Sequence, residues 1–213
     1  MITIEQTEEY RSIVQKSLNQ LVRDIGPIQI GSKRHFPFGW RKAAKGRTVW
    51  RILEEIINQN LEVKYKEYGL SSMQSSESEV SVYDSHIKLN GCAANIYLNV
   101  KSAVAGGRTN KDDISKAVGL RDFFREDIDR QLFICTFVID FRDDMCLELK
   151  QCFVMPVSWL PDIYVNPSNN GNLQSSQYKN IETAIRRTNQ EFITELNREI
   201  EVARQKRAAK RLR

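Results

Sequence analysis

Residues 78–101 read SEVSVYDSHIKLNGCAANIYLNVK, and the fold turns on how they pair. Val80 and Val82 fall on one side of the first run, and Ile96, Leu98 and Val100 fall on one side of the second. This is the period-two pattern of half-buried strands. Asn90-Gly91, between the runs, is a hairpin pair because both residues tolerate positive φ. The pattern predicts an antiparallel hairpin with Glu79 near its open end. Asn99 and Lys101, two apart, share the face opposite Leu98 and Val100. A carboxylate, a neutral oxygen donor and an ammonium would then converge at one end of a β-ribbon, an arrangement suited to holding a divalent cation and a phosphate together.

Upstream of the hairpin, residues 4–25 carry an apolar stripe of Ile13, Val14, Leu18, Leu21, Val22 and Ile25, closed by Gly26-Pro27. This N-terminal helix (residues 1–26) either packs on its own domain or forms a subunit contact. Residues 33–41 mix cations with Phe36, Phe38 and Trp40. Such a loop either closes over the core or grips phosphates and wedges against bases. Residues 46–60 read as a second helix with Glu54 at the border of its apolar face, 61–68 as a strand and the serine-rich 71–78 as a linker. After Lys101, Gly106-Gly107 makes a turn followed by Arg108, Thr109, Asn110 and Lys111, donors suited to phosphates and base edges. Residues 113–125 read as a helix. Residues 132–141 form a continuous apolar strand that expects cover on both faces, and 146–154 pair with it. Asp140, Asp143 and Asp144 read as a solvated turn. Residues 166–177 form a loop of amides and hydroxyls around Gly171, either a plain surface loop or a base-reading one, since Asn and Gln bond adenine bidentately. Residues 178–213 read as a long helix ending in Arg204, Lys206, Arg207, Lys210, Arg211 and Arg213. That basic run exceeds what a helix C-terminus needs and suits a polyanion.

The chain has 213 residues with 41% hydrophobic and 28% charged side chains, which suits one globular domain. The order of helix and strand patterns reads as α/β, a central mixed β-sheet flanked by helices. A net charge of +5 leans toward an acidic partner. No apolar run is long enough to span a bilayer and the N-terminus lacks a signal-peptide pattern, so a cytoplasmic location is the expectation. The four cysteines (Cys92, Cys135, Cys146, Cys152) and two histidines have no zinc spacing, and read as free thiols. Asp84, Ser85 and His86 are triad residue types, but neighbours on a strand point to opposite faces and form no local triad.

An acidic residue heading a strand, a hairpin, and a second strand ending in acid-x-Lys resembles the PD-(D/E)XK nuclease superfamily, most of all the type II restriction endonucleases and their EcoRV-like branch. The resemblance covers about residues 46–140. It implies a restriction-endonuclease-like fold with its catalytic core in residues 46–155. The site it implies has Glu79 and Asn99 as Mg²⁺ ligands, Lys101 as the catalytic lysine and Glu54 as a helical acid beside the metal. DNA contacts are implied at Arg108, Thr109, Asn110 and Lys111 after the lysine, and at Asn169, Asn170 and Asn172 in the late loop. Two departures stand out. Glu79 replaces the usual aspartate and follows Ser78 rather than proline, and Asn99 brings an oxygen but no charge. Asn99 is a tolerated variant, or Asp84 or Glu77 takes over its role, or the copy is inactive.

The expected activity is therefore Mg²⁺-dependent hydrolysis of double-stranded DNA at a short specific site, leaving 5′-phosphates, by a homodimer whose two-fold axis matches that of the duplex. The alternatives are a non-catalytic DNA-binding protein on the same fold and a structural protein that binds an acidic partner.

Overall fold

The computed structural model describes residues 2–40, 45–76, 78, 81–107, 111–168 and 171–211. In chain order the elements are α1 (Ile4–Ile25), β1 (Pro27–Gln29), α2 (Lys45–Lys64), β2 (Leu70–Ser75), β3 (Ser85–Leu89) and β4 (Ile96–Val104). There follow β5 (Asp112–Lys116), α3 (Ala117–Glu126), β6 (Gln131–Phe141), β7 (Cys146–Pro156), β8 (Tyr164–Val165), β9 (Asn172–Ser175) and α4 (Asn189–Arg211). Among the described residues six strands form a mixed sheet in the order β1-β7-β6-β4-β3-β2, and β5-β9-β8 form a smaller antiparallel one. The chain is an α/β protein with helices on the faces of a mixed sheet and a C-terminal helix, as its patterning predicts. Within the large sheet β4 and β6 pair in parallel, and the excursion between them holds β5 and α3.

Two cores flank the large sheet. Leu18 and Leu21 of α1 and Leu53 and Ile57 of α2 meet Leu98 and Phe137 on one face. Leu120 and Phe124 of α3 and Phe192 and Leu196 of α4 meet Ile134 on the other, together with Trp159. Strand β6 sends Phe133, Cys135 and Phe137 to the first core and Leu132 and Ile134 to the second, which explains its unbroken apolar run. All four cysteines are free thiols.

Helix α1 opens with a capping box: the Gln6 amide N–H donates to Thr3 Oγ1 at 3.2 Å, and Thr3 N–H donates to Gln6 Oε1 at 2.9 Å. It ends at Gly26, whose φ of 63° lies in the left-handed half of backbone space. Its apolar stripe packs on its own sheet, while Ile13 is left 38% exposed. Asn19 fastens it down. The side chain donates Nδ2–H to the Cys152 carbonyl (2.8 Å) and accepts the Cys152 N–H on Oδ1 (2.9 Å). β1 pairs with β7 only at residues 146–148, so Asn19 satisfies an otherwise open stretch of that strand's edge. The stripe that suggested a subunit contact is thus spent within the chain.

Several sequence expectations shift. Residues 61–68 are not a strand: Leu53, Ile57 and Leu61 continue one buried ridge at helical spacing, so α2 runs to Lys64 and a 3₁₀ turn, Tyr65–Tyr68, follows. The serine-rich stretch is no linker, because Leu70 and Met73 bury one side of β2, with a bulge between Leu70 and Ser72 adjusting the register. The helix expected at 113–125 begins only at Ala117, after β5 buries Ile114. The final helix starts at Asn189 rather than near 178. Before it, the Trp159 indole N–H donates to the Arg187 carbonyl and Arg187 donates to the Leu160 carbonyl, holding an extended approach. The 166–177 segment contains β9 as well as loop. Asp144 is exposed and paired with Arg142, and the half-buried Asp140 is paired with Lys150, in keeping with a solvated turn.

Candidate functional site

The hairpin forms, but in a register that changes which acid it delivers. Ile87 pairs with Ile96 and Ser85 with Leu98 across β3 and β4. One step beyond the ladder, the Asp84 N–H still donates to the Leu98 carbonyl at 2.8 Å, which sets Asp84 opposite Asn99. The Asp84 carboxylate turns in and accepts the Val100 N–H at 2.5 Å. Val82 joins the core opposite to that of Ile96, Leu98 and Val100, so the first run of the expected hairpin does not act as one strand face.

Asp84, Asn99 and Lys101 line one side of a cavity of about 350 Å³. Trp50, Arg51 and Glu54 of α2 close a second side. Asp113 and Lys116 of β5 and Asn172 of β9 close the third. A neighbouring cavity of about 420 Å³ shares Arg51, Glu54, Ser81 and Asp84 with the first, so one polar cleft runs along the α2 surface past the β-ribbon. Glu54 reaches it because it sits at the border of the ridge formed by Leu53 and Ile57. Its ion pair with the 80%-exposed Arg51, at 3.4 Å, is a surface contact of small energetic weight.

The electrostatics of the cleft are unbalanced. Burial raises the Asp84 carboxyl above the ordinary range, against the pull of the Val100 N–H, Lys101 and Arg51. Burial also raises Glu54, and the Asp84 charge adds to the effect, while Arg51 and Lys101 oppose it. Lys101 is pushed down by burial, although Asp84, Glu54, Asp113 and Asp112 all favour its charged form. Desolvation thus carries a cost that disfavours the charged form of every member. For the two carboxylates that cost exceeds what the lysine and arginine return.

Asn99 completes the constellation. It is 7% exposed and its Nδ2 donates to the Val82 carbonyl at 2.8 Å, while its Oδ1 is buried with no hydrogen-bond partner among the described residues. An orphaned buried oxygen on a residue that lines the same cavity as Asp84 and Lys101 is a hard acceptor without a donor of its own. Asp84, Glu54 and Asn99 therefore offer two carboxylates and an amide oxygen, the donor type that fits Mg²⁺. No cluster of three or more His, Cys, Asp or Glu suited to a metal occurs among the described residues, so the amide is integral to any such set. Neither a scan of protein-family models nor a search of curated proteins returns a match.

Of the residues singled out in the sequence, Glu54, Asn99, Lys101 and Asn172 come together in this cleft. Glu79, Arg108, Thr109, Asn110, Asn169 and Asn170 lie outside the described residues. Lys111 is exposed, with its ammonium 4.4 Å from the Tyr164 ring centroid. Asn172 is already engaged. Its Nδ2 donates to Asp113 (3.0 Å), Gln174 donates to the other oxygen of Asp113 (2.7 Å), and Asn166 donates to Gln174 (3.1 Å). Asp84 is the main residue that the sequence pattern did not assign to the acid position. Its signal was partial: pairing the apolar Ile87 with Ile96 puts Asp84 against Asn99, whereas counting back from a two-residue turn at Asn90-Gly91 would put Val82 there. Arg51 and Asp113 had no comparable signal, because nothing local brings α2 or β5 to the hairpin.

Proposed function

We propose that the protein is a Mg²⁺-dependent endonuclease of the type II restriction class, hydrolysing phosphodiester bonds of double-stranded DNA at a short specific site and leaving 5′-phosphates. The observation that carries this reading is the convergence of Glu54, Asp84, Asn99 and Lys101 on one cleft, with the Asn99 oxygen unsatisfied. In this reading Asp84, rather than Glu79, is the acid that heads the ribbon.

Asp84, Glu54 and Asn99 would hold the cation, which when bound supplies charge neutralisation at a phosphate and acidifies a coordinated water. Lys101 places a buried ammonium beside the scissile phosphate, donating to the oxygen on which charge builds and orienting the attacking water. Burial lowers its proton affinity, which eases release of that proton. Asn172, Lys111 and the segments 108–110 and 169–170 would contact the duplex. The exposed Lys206 and Lys210 on α4 would add salt-sensitive affinity. The active form would be a homodimer in the cytoplasm of a bacterial-type cell, one cleft for each strand.

The neutral Asn99 favours one rival, a DNA-binding protein on the same fold without cleavage, because an amide contributes no charge to metal binding. Incubating supercoiled plasmid with and without Mg²⁺ separates the two. Discrete Mg²⁺-dependent fragments bearing 5′-phosphates support the nuclease. Salt-dependent duplex binding without any cutting would assign the rival.

A further inference from the structure

The small sheet sorts its residues by face. Ile114 of β5, Val165 of β8 and Leu173 of β9 are buried in the core shared with α3 and α4. On the other face Gln174 pairs with Asp113 on one side and with Tyr164 on the other, and Asn172 lies two residues away along β9. Asp113 and Asn172 line the cleft that holds Asp84, Asn99 and Lys101. The side chains of this face form one hydrogen-bonded row. The Ser168 N–H donates to Asn166 Oδ1 (2.8 Å), Asn166 Nδ2 donates to Gln174 Oε1 (3.1 Å), and Gln174 Nε2 donates to Asp113 Oδ1 (2.7 Å). Asn172 Nδ2 donates to the second oxygen of the same carboxylate, Oδ2 (3.0 Å).

The direction of this row is fixed at both ends. A backbone N–H only donates and a carboxylate only accepts, so the amides of Asn166, Gln174 and Asn172 each have one orientation. Turning Gln174 over would set its oxygen against the Asp113 carboxylate and its NH₂ against that of Asn166, and both bonds would be lost. Each amide NH₂ carries two N–H groups. Asn172 and Gln174 spend one apiece on Asp113, and no acceptor among the described residues takes the second. Their oxygens are withdrawn: Gln174 Oε1 accepts from Asn166, and Asn172 Oδ1 is buried. The pair therefore shows a ligand donors only.

From this row, and resting on the nucleic-acid reading above, we infer that Asp113 is a positioning residue that locks Asn172 and Gln174 as donors and so makes the protein read a guanine in its DNA site. Guanine offers two acceptors, N7 and O6, side by side in the major groove. Two donors gathered on one carboxylate match that edge. Adenine sets an N6 donor beside its N7, and an amide reads that pair only by turning its oxygen outward. Cytosine presents a donor alone. Unlocked Asn and Gln side chains favour adenine, which is what the composition of residues 166–177 suggests by itself, and the lock reverses the choice. Donors set in advance also lose less side-chain freedom on contact.

In the test, full-length wild type selects duplexes from a randomised pool without Mg²⁺, and the ends it leaves on plasmid DNA with Mg²⁺ give the site independently. A G·C pair at a fixed place should appear in the bound sequences, and in the cut ends where cutting occurs. Replacing that guanine by adenine should weaken binding about 5- to 150-fold, the range for one bidentate base contact, and 7-deazaguanine, which lacks N7, should weaken it as well. Asp113→Asn and Asp113→Glu, both verified as folded by circular dichroism, are titrated on the guanine and adenine duplexes. Asp113→Asn, which no longer only accepts, should bind the two alike, whereas Asp113→Glu keeps the acceptor pair and should keep the preference. A guanine preference retained by Asp113→Asn overturns the lock, even if its affinity shifts equally on every sequence. Loss of the preference in Asp113→Glu as well assigns it to the shape of residue 113 and also overturns the lock. A site without a fixed guanine, or an A·T preference indifferent to 7-deaza bases, overturns the inference and leaves the nuclease reading intact. A wild type that neither binds nor cuts DNA overturns both.

Discussion

Substituting Asp84 by Asn should remove the protein's thermal response to Mg²⁺. Two carboxylates and an amide form a low-charge donor set, which places the dissociation constant at about 1 mM, the weak end of the range for oxygen-ligated divalent ions. At 10 mM Mg²⁺, binding to the folded state alone stabilises by RT ln 11, about 1.4 kcal/mol. For a chain of this size that shifts Tm upward by roughly 3–6 °C. Asp84→Asn keeps an acceptor for the Val100 N–H but removes half the charge of the donor set, so its Tm should move by less than about 1 °C under the same conditions. Its metal-free Tm should be no lower than that of the wild type, because the carboxylate is held against its desolvation. Differential scanning fluorimetry with matched ionic strength reads all of this without requiring DNA. Glu79→Gln is the control. If it abolishes the Mg²⁺ shift and Asp84→Asn does not, the register-based choice of acid is wrong. If wild type shows no Mg²⁺ shift, the cleft is not a cation site.

Lys101→Ala should reduce plasmid cleavage by at least about 100-fold, as for loss of a group that stabilises transition-state charge, while changing duplex affinity little. Gel quantification against filter binding checks it. The pH dependence of metal-free stability should carry the mark of the raised carboxyls. Glu54 and Asp84 bind protons more tightly folded than unfolded, so their contribution is fully present below the ordinary carboxylate range. It falls away as pH rises through their elevated folded values. Urea titrations across this window should therefore show a decline that Glu54→Gln flattens, with a gain of about 0.5–2 kcal/mol at pH 7. Asn19→Ala leaves the N–H and carbonyl of Cys152 without their side-chain partner and should cost about 1–3 kcal/mol in the same assay.

Legibility in the sequence followed the range of the physics. Elements whose signals are local were readable: α1 from its stripe and Gly26-Pro27 stop, β6 from an apolar run that needs two covered faces, and the ribbon from Asn90-Gly91. Elements decided by tertiary partners were not. β2 is serine-rich yet paired, because β3 supplies backbone partners that override its weak strand propensity. β5 exists because β9 pairs with it from sixty residues away. Within the site, Asn99 and Lys101 were readable because two residues on one strand share a face whatever the fold. The acid opposite them depended on hairpin register, and a strand start read at Ser78 instead of Ser85 moved the choice from Asp84 to Glu79.

The position of the cleft follows from how the sheet is covered. α1 and α2 bury one face and α3 and α4 the other, and the two cores are separated by the sheet itself. At the start of β4 and β6 both faces are covered by apolar side chains, with Tyr97, Leu132 and Ile134 on the α3/α4 side. At Asn99 the seal stops: Asn99, Lys101 and Thr136 replace the Ile and Leu that burial alone would select. The Thr136 hydroxyl and the Asn99 amide oxygen are buried with no hydrogen-bond partner among the described residues. Each such group costs about 1–3 kcal/mol relative to a satisfied or apolar one, and a buried lysine among raised carboxyls adds to that. A sequence free to optimise stability would put valine at these positions, which already suit strand geometry. That the Asn99 oxygen, the buried Lys101 and the raised carboxyls of Glu54 and Asp84 meet in one cleft is what an electrostatic site awaiting a charged ligand requires. Double substitution of Asn99 and Lys101 by apolar residues should therefore trade every ligand response for a more stable fold.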